Sequence, residues 1–258
     1  MDNDDLPVGR VHSRREILAL FGVSGAALVA TSLATRAATG GGPDQQSAVT
    51  PASATASTAL ASICVVTPAE TEGPYFVDEL LYRSDIRTDP SDGTTKPGVP
   101  LALTFNIASM GGAACTPLAG ATIDIWHCDA LGLYSDERAN NTVGKKFLRG
   151  TQVTDGSGMA RFTTIYPGWY MGRAVHIHFK VRTNPLAQTG QEFTSQLFFD
   201  DALTDEVFTQ DPYASRGTRD TRNSRDSIYA NGGDQLLLSL TKDGDGYTTT
   251  FNVGMNIT

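Results

Sequence analysis

The sequence predicts an all-β fold, a β-sandwich with long loops. From about residue 63 onward the chain is a series of short alternating or β-branched runs separated by turn residues. The pattern lacks long stretches of helical periodicity, and many short strands of this kind are typical of two packed sheets. The strand candidates are residues 101–109, 121–129, 149–155, 159–166, 174–183, 195–199, 235–243 and 246–255.

The first 38 residues are predicted to be an export signal. Arg14 and Arg15 precede an apolar run from Ile17 to Ala34 and then Ala37, which is the order of the charged, apolar and cleavage regions of such signals. Paired arginines favour the twin-arginine (Tat) route. We therefore expect the Tat machinery as a partner and a periplasmic or extracellular mature protein without a stable membrane span. The apolar run is also about long enough to span a bilayer, so an uncleaved anchor is the alternative.

Residues 39–62 are predicted to be a flexible linker. They are mainly Gly, Ser, Ala, Thr, Pro and Gln with few large apolar residues, so they cannot bury enough surface to order themselves. This leaves residues 63–258 as one folded domain, a length that can bury a sizeable core.

The charge of the chain argues against nucleic acid as a partner. The sequence has 28 acidic and 20 basic residues, a formal net charge of -8, whereas phosphate binding needs a basic surface. One arginine-rich stretch, residues 216–226, alternates arginine with aspartate. It is interpreted as a solvated loop with internal ion pairs.

Two glycine-rich stretches, Asp155–Gly158 and Asp243–Gly246, are predicted to be hairpin turns. The second also resembles part of a calcium-binding loop, but the downstream glutamate of the helix-loop-helix calcium site is missing. The turn interpretation is therefore preferred for both.

The three cysteines have no zinc-ribbon spacing. An exported protein can keep a disulfide, and a bond between Cys64 and Cys115 would tie the start of the domain to a loop. Cys128 lies inside an apolar strand pattern and is expected to be a buried thiol.

A pair of histidines in one strand candidate is the first indication of chemistry. His176 and His178 are two residues apart, so their side chains point to the same face of a strand and can direct imidazole nitrogens at one point. Two hydrogen-bonded histidines at a sheet surface would also explain the pattern. Zinc would need a third histidine, a cysteine or a carboxylate, and His127 lies within its own strand candidate.

Two tyrosines near this pair would make a different set of ligands. Tyr170 precedes His176 by six residues, and Tyr134 lies near the end of the segment WHCDALGLYSD. A phenol has a pKa of about 10, so it binds a metal well only when a strongly Lewis-acidic ion such as Fe(III) removes its proton. Two phenolates and two neutral imidazoles suit Fe(III) and leave a coordination position open. Since the chain has eight tyrosines, ordinary core rings are the alternative.

Five segments of the chain carry a family resemblance. They are TPAETEGPYF (67–76), PLAGATIDIWHCDALGLYSD (117–136), FLRGTQVTDGSGMARFTTIYPGWY (147–170), RAVHIHFKV (173–181) and TSQLFF (194–199). In their order and residues they resemble the intradiol ring-cleavage dioxygenases, whose best-known members cleave protocatechuate and catechol. The resemblance covers nearly everything from Thr67 to the C terminus and implies the β-sandwich of that family, with long active-site loops, as a catalytic domain over residues 63–258.

The resemblance implies that one non-haem Fe(III) is bound per chain. The ligands it implies are Tyr134, Tyr170, His176 and His178. It implies that Tyr134 and His176 are equatorial and that Tyr170 and His178 are axial. The substrate would displace the phenolate of Tyr170, which takes a substrate proton as it leaves.

The resemblance also implies residues that contact the substrate. Arg173 and Gln196 occupy the positions that steady the substrate and its developing charge. Thr71, Gly73 and Pro74 occupy the loop that lines the ring pocket. The structural alternatives are a surface salt bridge for Arg173, a sheet hydrogen bond for Gln196 and a simple turn for the loop.

The implied activity is oxygen-dependent cleavage of a small aromatic diol between its two hydroxylated carbons, which yields a muconate-type dicarboxylic acid. Met171 and Gly172 replace the Pro-Trp that follows the tyrosine in protocatechuate enzymes, so we expect a different pocket and favour uncharged catechols. The physiological substrate and homo-oligomerisation stay open. The alternative function is an exported β-sandwich that binds a ligand or a structural metal without catalysis.

Overall fold

A computed structural model describes residues 65–111, 114–184 and 190–256 of the 258-residue chain. The predicted export signal at 1–38, the predicted linker at 39–62 and Cys64 lie outside the described residues. Within the described residues, no helix is both long and apolar enough to cross a membrane.

The described strands form two sheets, which confirms the predicted β-sandwich. One sheet contains β1 (Pro100–Gly111), β2 (Ala114–Pro117), β5 (Met159–Ile165), β8 (Thr241–Asp243) and β9 (Gly246–Asn256). The other sheet has the order β4 (Arg149–Val153), β3 (Thr122–Trp126), β6 (His176–Arg182), β7 (Glu192–Phe198) and is antiparallel throughout. In the first sheet, β1 pairs antiparallel with β2 and β5 and parallel with β9.

The apolar core lies between the two sheets. Phe105 of β1 packs against Phe179 of β6 with ring centroids 5.3 Å apart, and Ile177 and Val181 belong to the same buried cluster. Because strand side chains alternate between faces, residues His176, His178 and Lys180 must point away from this core. They are nevertheless buried, since loops cover the outer face of the second sheet.

The predicted strand at 235–243 is mostly wrong. Residues Gly233–Leu236 form a 3-10 turn, and only Thr241–Asp243 is a strand. Leu236 and Leu238 are buried, so the apolar pattern reflects packing of an irregular segment. The pattern also missed α1 (Asp201–Val207), a short helix whose N-cap Asp200 accepts hydrogen bonds from the backbone of Ala202 and Leu203.

One hairpin prediction is confirmed and the other is wrong. Strands β8 and β9 pair directly across the turn, with Asp243 opposite Gly246. The stretch Asp155–Gly158 is a turn, in which the Asp155 carboxylate accepts a hydrogen bond from the Ser157 backbone. However, β4 and β5 on its two sides pair with β3 and β1 in different sheets. The turn therefore connects the sheets.

The arginine-rich stretch 216–226 is not the solvated, internally paired loop that was predicted. Arg219 and Asp226 are 7% and 2% exposed. Arg219 pairs with Asp201 and Asp205 of α1, and Asp226 pairs with Arg173. The ion-pair partners of Arg219 and Asp226 lie in other parts of the fold, so these pairs hold the stretch 216–226 against the rest of the domain.

The cysteines agree with the sequence interpretation as far as they are described. Cys115 is disulfide-bonded, and Cys128 is a free buried thiol whose Sγ lies 3.4 Å from the Gly168 carbonyl oxygen. Burial raises the pKa of the Cys128 thiol, so this thiol is protonated and inert.

Candidate metal centre

The pairing of β6 with its neighbours sets the position of the two histidines. His178 lies between Trp126 of β3 and Gln196 of β7 in the sheet register, and the Trp126 indole stacks on its imidazole with centroids 5.0 Å apart. The Nε2 atoms of His176 and His178 are 3.0 Å apart. The two imidazoles thus converge on one point, as their spacing predicted.

Both imidazoles are held neutral. His176 Nδ1 lies 2.6 Å from the Ala174 carbonyl oxygen, and because a carbonyl only accepts, Nδ1 carries the proton and Nε2 carries the lone pair. Burial, followed by the nearby Arg173 charge, lowers the pKa of both histidines well below the usual value. A neutral imidazole with a free nitrogen is the form that binds a metal.

The two tyrosines face the histidines from separate loops. Tyr170 Oη lies 3.2 Å from His176 Nε2, and its ring centroid is 5.7 Å from that of Tyr134. Tyr134 is 1% exposed whereas Tyr170 is half-buried. Burial, followed by the adjacent Tyr170, raises the pKa of Tyr134 well above the usual value, so Tyr134 is a neutral phenol unless a cation is bound beside it.

These side chains fit Fe(III). The buried Tyr134 hydroxyl has no hydrogen-bond partner in good geometry among the described residues, which is rare for a buried polar group unless an unseen ligand satisfies it. Within that same part of the chain, no group of three or more His, Cys, Asp and Glu side chains is placed to hold a metal ion. Two phenols and two imidazoles are instead a donor set suited to a strongly Lewis-acidic ion.

Arg173 and Gln196 lie next to this donor set. Arg173 Nη2 donates to Gln196 Oε1 at 2.6 Å, and Arg173 Nη1 lies 3.5 Å from His176 Nε2. Arg173 also pairs with Asp226, Nε to Oδ2 at 2.9 Å, with both side chains buried. The surface-salt-bridge alternative for Arg173 is therefore wrong.

A buried network of charge surrounds Arg173. Burial opposes its charge, but Tyr170 and Asp226 outweigh that effect and raise its pKa. Glu70 is a second carboxyl group nearby: burial raises its pKa, Arg173 opposes the rise and Asp226 adds to it. Arg173 thus interacts electrostatically with both carboxyl groups, and Asp226 is the one to which it is bonded.

The loop of Thr71, Gly73 and Pro74 covers the other side of the centre. Gln196 Nε2 donates to the Thr71 carbonyl oxygen at 2.9 Å, which shows that Gln196 bonds to this loop. Gly73 has a φ of +69°, and a Cβ placed on it would lie 3.2 Å from Cε1 of His178. Glycine meets both demands without strain, and it lets the backbone of this loop approach the His178 ring closely. Pro74 lines an open surface cavity of about 400 Å³ next to this loop.

Sequence reasoning missed several neighbours of the centre. Tyr75 stacks on Tyr134 with centroids 4.2 Å apart. Arg149 donates from Nη1 to the Tyr75 carbonyl oxygen at 2.6 Å and from Nη2 to the Ser135 carbonyl oxygen at 2.7 Å. Tyr75 and Arg149 lie inside the segments TEGPY and FLRG that carried the resemblance, so their positions were a usable signal. No sequence pattern indicated Asp226.

Comparison with known proteins gives a family match over most of the described chain. The family model Dioxygenase_C, described as "Dioxygenase", matches residues 71–246. A curated relative, chlorocatechol 1,2-dioxygenase from Pseudomonas putida, is 30% identical over 148 residues, which are 50% of this chain and 52% of that protein. The chain therefore matches about half the length of the curated relatives.

Solved structures match a larger share of this chain than the curated relatives do. An intradiol ring-cleavage dioxygenase from Tetranychus urticae is 29% identical, with a TM-score of 0.64 over 75% of this chain and 95% of that one. The dioxygenase domain of a dioxygenase and carbohydrate-binding fusion protein from Streptomyces sp. SirexAA-E is also 29% identical, with a TM-score of 0.55 over 75% of this chain and 100% of that chain. Both agree with the fold described above.

Proposed function

We propose, from the premise that this chain belongs to the intradiol ring-cleavage dioxygenase family, that it uses Fe(III) and O2 to open catechols between their two hydroxylated carbons. The observation that carries the proposal is the convergence of two neutral imidazoles and two phenols on one buried point. The ligands would be Tyr134, Tyr170, His176 and His178. One Fe(III) held there would supply a strong Lewis acid for the two oxygens of the diol.

The reaction balances without an external reductant. A catechol and one O2 give one muconate-type dicarboxylic acid, so both oxygen atoms enter the product. The protein's part is to orient the ring, take up a proton and stabilise charge.

Beside a bound Fe(III), Tyr170 would be a phenolate, and in that form it is proposed to take the proton of a substrate hydroxyl on its Oη. This phenol is half-buried and lies beside His176, so it can move when a substrate enters. The buried Tyr134 lacks that freedom. Arg173 and Gln196 would stabilise the negative charge that develops on the ring. Arg173 Nη1 lies next to His176, and Gln196 Oε1 accepts a hydrogen bond from Arg173 Nη2.

An uncharged catechol is proposed as the substrate class. Arg173 is already paired with Asp226 at 2.9 Å, and Arg149 donates to three oxygens of Tyr75 and Ser135. Both cations are already bonded to protein oxygens, so a ring carboxylate would have to compete with these partners. The net charge of -8 also disfavours anionic substrates.

Oxygen uptake by the purified, iron-loaded protein tests the proposal. We expect O2 consumption with catechol, slower consumption with protocatechuate, and a colourless muconate product. A yellow ring-opened semialdehyde would show extradiol cleavage and contradict the proposal. Binding of catechols without oxygen consumption would instead favour the non-catalytic alternative.

Export by the Tat route is part of the proposed function. Loading of metal is coupled to folding, and the Tat route would allow both before translocation. We expect that replacement of Arg14 and Arg15 by lysine retains the protein in the cytoplasm, as measured by cell fractionation. Unchanged export of this variant would refute the Tat assignment, and an intact signal on the exported protein would favour the anchor.

A further inference from the structure

Arg173 is held by a carboxylate that lies 53 residues away in the chain. Asp226 Oδ2 accepts hydrogen bonds from Arg173 Nε at 2.9 Å and from the Ala174 backbone nitrogen at 2.7 Å. The side chains of Asp226 and Arg173 are 0% and 7% exposed. A single carboxylate therefore fixes both the guanidinium and the backbone that leads into His176.

The other oxygen of Asp226 is also used. Oδ1 accepts hydrogen bonds from the backbone nitrogens of Ile228 and Tyr229, at 2.8 and 3.2 Å. Together with the two bonds to Oδ2, these fill the acceptor capacity of an ionised carboxylate. The group cannot rotate without breaking several of these bonds, so it is a rigid anchor.

The guanidinium of Arg173 connects Asp226 to other residues of the site through hydrogen bonds. With Nε held by Asp226, Nη2 donates to Gln196 Oε1 at 2.6 Å, and Gln196 Nε2 in turn donates to the Thr71 carbonyl oxygen. Nη1 faces His176 Nε2 at 3.5 Å. Because the guanidinium is planar, fixing Nε and Nη2 also fixes the direction of Nη1.

We propose that Asp226 is a positioning residue, which sets the orientation of Arg173 and through it the positions of Gln196 and the Thr71 loop. The coupling of Asp226 to Arg173 is inferred from their hydrogen bond and ion pair and does not depend on the proposed function. Its importance for turnover rests on the proposed function, since Arg173 would stabilise charge on the substrate.

A double-mutant cycle on the metal-free protein tests the coupling. Asp226→Asn keeps the shape of the side chain but replaces one acceptor oxygen by an NH2 group. This group would face N–H donors and could not accept their hydrogen bonds. Arg173→Met removes the partner charge and keeps an apolar stem. We expect each single variant to lower the Tm by roughly 6 to 20 °C. The double variant should lose clearly less than the sum, because contacting residues are not additive.

Turnover gives the second readout. Asp226→Asn should lower kcat by roughly 10- to 100-fold, the scale of a misplaced group, with KM, iron content and visible colour close to wild type. The matched control is Asp201→Asn, which breaks the ion pair between Asp201 and the buried Arg219. Arg219 lies in the same stretch, residues 216–226, as Asp226. The control should lose stability and keep kcat.

Three results would overturn the inference. They are additive Tm losses for the pair, a wild-type kcat for Asp226→Asn, and a loss of iron or colour in Asp226→Asn as large as in a ligand variant. If the wild-type protein turns over no catechol, the proposed function fails, and the thermal cycle alone then decides whether Asp226 orients Arg173.

Discussion

The roles proposed for the two tyrosines of this site differ because their side chains differ in exposure. Tyr134 is fully buried and stacked on Tyr75, whereas Tyr170 is half-buried with its Oη beside His176. A fully buried phenol suits permanent ligation, and a more exposed phenol beside the substrate position suits proton transfer. This difference leads to a prediction for Tyr170.

Tyr170→Phe should retain iron, change the visible colour and lower kcat by roughly 100-fold or more, the scale of general acid-base catalysis. Iron is retained because three proposed ligands remain, and the colour changes because one phenolate is lost. Iron analysis, visible absorption and oxygen uptake measure these effects. The matched control is Tyr166→Phe, which removes a buried hydroxyl bonded to Thr204 outside the site and should leave the colour unchanged. Wild-type turnover in Tyr170→Phe would exclude a role in the reaction.

His127 is a buried histidine with a structural role. Its Nε2 lies 2.7 Å from the Thr164 hydroxyl and its Nδ1 lies 2.8 Å from the Cys128 carbonyl oxygen. Burial lowers its pKa from 6.5 to about 4, so the folded protein binds its proton less readily than the unfolded chain. Stability from His127 is therefore fully present above pH 6.5 and is lost as the pH falls toward 4.

His127→Gln should accordingly flatten the pH dependence of stability. Full protonation of wild type at His127 would cost about 3 kcal/mol, and the variant lacks this contribution although it is less stable at neutral pH. Denaturant unfolding of metal-free protein between pH 7 and 4 measures the difference. His176 and His178 are present in both proteins, and His127 is the smallest of the causes that lower their pKa, so most of the difference reports on His127. Parallel curves would contradict the assignment.

At the scale of elements, strand β6 and the loop of residues 71–76 together enclose the centre. The strand projects His176 and His178 from one face, while the loop approaches from the opposite side through Gly73. Arg149 of β4 joins the loop at Tyr75 to the segment after Tyr134 by hydrogen bonds to two carbonyl oxygens. The enclosure depends on the close approach at Gly73.

Gly73→Ala should weaken iron retention and lower turnover, because the new methyl group would press on His178. Gly93→Ala is the matched control: Gly93 also has a positive φ, +77°, but a Cβ there would meet nothing within 4 Å. Both variants should lose about 1 kcal/mol of stability from backbone strain. Only Gly73→Ala should change the colour and iron content, and equal behaviour of the two variants would show that the contact is unimportant.

At the scale of the whole molecule, the bound metal should stabilise the fold. The proposed ligands come from β6 and from two separate loops, so they are assembled only in the folded protein. Removal of iron by a chelator should abolish the colour and lower the Tm, and iron should restore both. A ligand at 100 times its Kd adds about 2.7 kcal/mol. Zinc should not restore the colour, and a colourless protein with stoichiometric zinc after growth with added iron would refute the iron assignment.

The sequence by itself determined the all-β class, most strands and the residues of the donor set. These features are local: strand alternation placed His176 and His178 on one face, and the ordered segments around Tyr134 and Tyr170 carried the family resemblance. Burial of Cys128 followed from the apolar pattern around it. Each inference needed only a short stretch of chain.

The tertiary structure alone decided which distant groups meet. It buried Asp226 against Arg173 across 53 residues, it placed β4 and β5 in different sheets, and it made the leucine-rich stretch near Leu236 an irregular core segment. Local patterns report propensity and polarity, but ion-pair partners and sheet membership depend on contacts between residues far apart in sequence. A charge-alternating stretch such as 216–226 therefore resembled a solvated loop until the fold supplied its partners.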